Sequence, residues 1–88
     1  MSRPFELAFR REFTGRWREL YAYLHRLTGD PDAAEDVAQE AFVRLYRRGA
    51  MPDDVGAWLV SVAHNLLRDS GRKRDRRRKL LRVRSEEL

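Results

Sequence analysis

Apolar residues recur at helical spacing along almost the whole chain, and nowhere do they alternate with polar residues as a half-buried strand requires. Phe5, Phe9 and Phe13 stand four apart, and Trp17, Leu20, Tyr21, Leu24 and Leu27 continue with the same period. Thr14-Gly15 lies between the two sets and reads as a break or kink. Gly29 follows as a stop, because glycine enters the left-handed conformation that ends a helix without a Cβ clash. Asp30-Pro31 then reads as an N-cap and first turn, where a carboxylate can accept from free backbone N–H groups and proline's missing donor costs nothing. The next helix runs to about Arg48, with Ala34, Val37, Ala38, Ala41, Phe42 and Leu45 on its inward side. Gly49-Ala50-Met51-Pro52-Asp53-Asp54 is a loop, and a last helix starts near Val55 with either aspartate able to cap it. The pattern predicts an all-α fold. It is a compact bundle of three to four helices, packed over about residues 5–72, with a basic C-terminal helical extension over about 73–88.

Length and cysteine content add two bounds. Eighty-eight residues suffice for a single core, and with no cysteine the chain has neither disulfides nor cysteine-based zinc sites, so packing must supply its stability. No segment resembles a signal core or reaches membrane-spanning length, and the expected location is the cytoplasm.

Charge changes the picture more. The net charge of +5 is unevenly spread: residues 1–67 hold nine basic and ten acidic side chains, whereas 68–84 hold ten basic and two acidic. One end is therefore strongly positive, beside an acidic zone from Asp30 to Glu40. In the last helix Trp58, Leu59, Val62, Ala63 and Leu66 can bury one face. At about 100° per residue, Ser61, His64, Asn65, Arg68 and Arg72 lie together on the other, and Lys73, Arg74 and Arg76 extend the cationic run. A stripe passing from serine and asparagine into arginines suits a nucleic-acid strand, with cations for phosphates and small polar groups for bases. Trp58, at the edge of the apolar stripe, is read as core packing ahead of DNA contact.

The helix before it has two faces as well. Opposite its apolar side stand Asp36, Gln39, Glu40, Val43 and Arg47. Acids near a helix start favour its positive end, and Glu40 can pair with Arg44 or Arg47. Those effects account for Asp32, Glu35 and Asp36. They leave unexplained an exposed Val43 ringed by carboxylate and amide groups, which points to a docking surface.

Taken together, Asp32-Ala33-Ala34-Glu35-Asp36-Val37-Ala38-Gln39-Glu40-Ala41-Phe42 and Ala57-Trp58-Leu59-Val60-Ser61-Val62-Ala63-His64-Asn65-Leu66-Leu67-Arg68-Asp69, followed by the arginine-rich run, resemble region 2 of the extracytoplasmic-function sigma factors, bacterial initiation subunits of RNA polymerase. The resemblance covers about Phe5 to Arg78. It implies that Asp36, Gln39 and Glu40, with Val43 and Arg47 beside them, dock on the clamp coiled coil of the polymerase β′ subunit. It implies that Asn65, with Trp58, Arg68, Asp69 and Arg72 around it, recognises the promoter −10 element and holds the non-template strand as the duplex opens. The loop Gly49–Asp54 would lie where the family captures an extruded base. An anti-sigma factor is an implied partner. The family's second domain, which reads the −35 element, has no counterpart here, and excision from a longer protein is favoured over a region-2-only protein.

Other functions fit less well. His25 and His64 are isolated, no Ser or Cys has an evident base partner, and no glycine motif cradles phosphate, so neither an enzyme nor a cofactor is expected. The main alternative is a basic helical module that binds duplex DNA without polymerase. A membrane-surface helix is a weaker rival, because Leu80, Leu81 and Val83 lie among arginines but Asp69 and Asp75 interrupt the run.

Overall fold

The computed structural model describes the backbone of residues 2–87 and the side chains of residues 2–71. It contains three helices: α1 (Arg3–Thr28), α2 (Pro31–Arg48) and α3 (Val55–Glu87). The side chains of the basic segment 72–88 lie outside the described residues.

Both turns are built as their residues dictate. Gly29, at φ 66°, donates its N–H to the His25 carbonyl and closes α1. Asp30 then accepts from the N–H groups of Asp32 (3.0 Å) and Ala33 (3.2 Å) to cap α2. Gly49, at φ 74°, ends α2 in the same left-handed way. Of the two candidate caps for α3, Asp54 serves, its carboxylate accepting from the Ala57 N–H at 3.0 Å.

One expectation is corrected. Thr14-Gly15 does not break the chain, and residues 3–28 form a single helix of 26 residues. The reason lies in the aromatic ladder on both sides of the glycine. Phe5, Phe9, Phe13 and Trp17 follow one another at ring-centroid spacings of 6.3, 6.3 and 5.4 Å. Phe13 and Trp17, which straddle Gly15, both lie against Phe42 of α2, at 5.0 and 6.1 Å. A glycine inside a helix costs about 1 kcal/mol relative to alanine, and a shared aromatic seat exceeds that. Gly15 is exposed, and a Cβ there would meet no atom within 4 Å. Gly15→Ala is therefore expected to raise stability by about 0.5–1 kcal/mol in urea denaturation.

The core lies where the three helices meet. The six α2 residues expected to face inward are the six that are buried. Leu20 and Leu24 of α1 join them, as do Val55, Leu59 and Ala63 of α3. Phe9 and Phe13 sit near Tyr46 and Phe42 respectively, so α1 and α2 are antiparallel. Arg16 approaches Gly56 and Tyr23 approaches His64, so α1 and α3 run parallel. Leu27, expected in the α1 stripe, lies beyond this seam and is exposed.

Candidate functional site

The free face of α3 follows from its seam. Burying Val55, Leu59 and Ala63 turns Ser61, Asn65 and Arg68 about half a turn away, and all three are exposed. Arg68 has no carboxylate partner among the described residues, so its charge is available to an anion. The Asn65 amide is uncommitted among the described hydrogen bonds and can both donate and accept. Trp58 is half-buried against the core, at the edge of this face.

His64, grouped with these residues by spacing, is not freely exposed as they are. Its ring is half-buried, stacks on Tyr23 and lies with Nε2 2.7 Å from the Tyr23 hydroxyl. Arg72, Lys73, Arg74 and Arg76, expected to continue the cationic stripe, fall outside the described side chains.

On α2 the five residues of the outward stripe do not form one patch. Gln39, Val43 and Arg47 line a groove of about 390 Å³ whose other walls are Phe9, Phe13, Phe42 and Tyr46. Val43, Phe13 and Tyr46 are 38%, 39% and 39% exposed, so apolar surface there is open to a partner. Asp36 instead lines a separate cleft with Thr28, Asp30, Ala33 and Val37 and with Leu67, Ser70 and Gly71 of α3. Glu40 is held by Arg44 at 3.5 Å, an exposed pair within one helix that contributes little. Gln39 donates to Glu35 at 3.4 Å, while Asp36 and Arg47 have no ion-pair partner among the described residues.

The aromatic walls of the groove escape a reading of spacing alone. Phe9 and Phe13 stand in the apolar row of α1, which does not say that they also line a groove, and Tyr46 falls outside the apolar stripe of α2. The usable signal is Tyr46, three residues after the exposed Val43 and so on the same side of α2. Tyr23 as the partner of His64 has no such signal, since the two are 41 positions apart. No group of three or more metal-ligating side chains occurs among the described residues, and no described helix is long and apolar enough to cross a membrane.

The family described as Sigma-70 region 2 matches residues 15–77. The chain is 40% identical over 57 residues to the ECF RNA polymerase sigma factor SigL of Mycobacterium tuberculosis, covering 60% of this chain and 32% of that protein. It is 36% identical over 59 residues to the ECF sigma factor SigE of Mycolicibacterium smegmatis, covering 65% of this chain and 23% of the relative. It is 41% identical over 54 residues to the ECF sigma factor BldN of Streptomyces coelicolor, covering 57% and 20%. The chain thus spans about a third or less of the length of these curated relatives. No solved structure gives a significant match.

Proposed function

The chain belongs to the Sigma-70 region 2 family, as a domain of the extracytoplasmic-function type, and from that premise we propose that it serves transcription initiation by docking on the β′ clamp helices of RNA polymerase and reading the promoter −10 element on the non-template strand. The observation that carries this reading is that two helices, each spent on the core along one side, leave free two faces of different chemistry. That of α2 is apolar and aromatic, with the Gln39 amide and the Arg47 guanidinium at its rim. That of α3 is an asparagine followed by an arginine, Arg68, with no ion-pair partner among the described residues.

The two faces divide the work. An amphipathic helix of the clamp lays its apolar side into the groove between α1 and α2, and Gln39 and Arg47 at the rim set its register. On α3, Arg68 and the basic run beyond it attract phosphates without regard to sequence and lose strength with salt. Asn65 supplies the sequence-dependent part, because a side-chain amide can pair with a base edge once that edge is accessible. Extruding a base costs a few kcal/mol, and stacking can return about 1–3 kcal/mol per base. The loop Gly49–Asp54, next to the start of α3, is the proposed seat of the extruded base. An anti-sigma factor would act by covering either face.

The docking half is tested with a β′ clamp-helix fragment and calorimetry. Gln39→Ala combined with Arg47→Ala is expected to weaken binding at least tenfold, about 1.4 kcal/mol. The far-UV circular dichroism and melting temperature should hold, because both side chains point outward. Unchanged affinity would remove the docking assignment.

A further inference from the structure

Among the described residues, one side chain–side chain hydrogen bond joins two different helices. The Tyr23 hydroxyl and His64 Nε2 lie 2.7 Å apart, and the rings stack with centroids 5.8 Å apart and 17° between their planes. The other side-chain pairs, Glu12 with Arg16, Glu35 with Gln39 and Glu40 with Arg44, each span one turn of a single helix and hold nothing together across the bundle.

The place of this pair gives it a consequence. In its described length α3 adds only Val55, Leu59 and Ala63 to the buried core. Two turns before His64, Gly56 lets the Arg16 side chain cross close over the helix, for a Cβ there would sit 2.7 Å from Nη1. Apolar burial is non-directional, so it sets the separation of two helices more firmly than the rotation of either about its axis. A hydrogen bond, which weakens steeply when misaligned, sets the rotation. Asn65 is the next residue after His64. Turning α3 by about 10° carries an amide about 6 Å from the axis through about 1 Å, enough to spoil a base contact.

We propose that Tyr23 is a positioning residue for base reading: through its bond to His64 it holds α3 at the rotation that aims Asn65 at a base. His64 then serves the α1–α3 contact and not the nucleic acid. This rests on the proposed role of Asn65 as the base reader. It adds a residue on α1, the helix farthest in sequence from the DNA face, to the determinants of specificity.

The test compares affinity for a single-stranded oligonucleotide obtained by random-sequence selection on the 88-residue chain with affinity for its scrambled version. Tyr23→Phe is expected to lower this ratio about fivefold while scrambled-strand affinity stays within about twofold. His64→Gln, whose amide can still meet the hydroxyl, should keep most of the ratio. His64→Leu should match Tyr23→Phe, and the double variant should be no worse than either. Independently of DNA, the ¹⁵N shifts of the His64 imidazole should move in Tyr23→Phe. An unchanged ratio in Tyr23→Phe, with the ratio lost in Asn65→Ala, overturns the positioning role and leaves the role of Asn65 standing. A ratio indifferent to Asn65→Ala removes that role and the positioning role with it. A loss of scrambled-strand affinity in His64→Leu that Tyr23→Phe does not share makes His64 a DNA contact and also overturns the proposal.

Discussion

Phe42→Ala is expected to lower the stability of the domain by about 3–5 kcal/mol. Phe42 is 2% exposed and receives Phe13 edge-on at 5.0 Å, with Trp17 at 6.1 Å and Phe9 at 6.3 Å. Truncation empties the seat on which three α1 rings converge, and long α1 cannot collapse into it without losing the ladder on either side of Gly15. A small domain has only about 5–15 kcal/mol in total, so the variant should be partly unfolded at moderate temperature. Urea denaturation followed by circular dichroism and by tryptophan fluorescence measures the loss. A change below about 1 kcal/mol would contradict the seating of α1 on α2.

Asn65→Ala is the substitution with the largest expected effect on recognition. A well-placed amide on a base edge is worth about 1–3 kcal/mol of discrimination, so preference for a selected single strand over a scrambled one should fall about 5- to 150-fold. Stability should barely change, because Asn65 is exposed. Arg68→Ala should behave in the opposite way. It should weaken every strand alike and reduce the salt slope by about 0.7, the share of one phosphate contact on single-stranded DNA. Competition binding at several salt concentrations separates the two patterns. Equal loss of discrimination in both variants would mean that Asn65 is no more a base reader than Arg68.

The features that followed from the sequence were those set by neighbours in the chain. The inward face of α2, the Asp30 cap, the Gly29 stop and the start of α3 depend on residues within a turn or two of each other, where periodicity and cap chemistry act. The break expected at Thr14-Gly15 did not form because local preference was overruled from outside: the rings on either side of that glycine meet Phe42, far along the chain. The candidate faces divided in the same way. Ser61, Asn65 and Arg68 were legible because helical angle alone turns them from the seam. The contact of His64 with Tyr23 was not legible, because it depends on a residue of another helix 41 positions away. The aromatic wall of the α2 groove was hidden for a related reason. Phe9 and Phe13 serve the core and line the groove at once, and a stripe read as buried does not announce which of its edges stays open.

The most direct measurement is fluorescence anisotropy of this chain on three probes of one selected −10 candidate: the non-template single strand, its complement and the duplex. The account predicts clear preference for the non-template strand, dependent on its sequence and diminished in Asn65→Ala. Equal, salt-sensitive binding to all three probes would contradict it and leave a basic helical module that holds phosphates without reading bases.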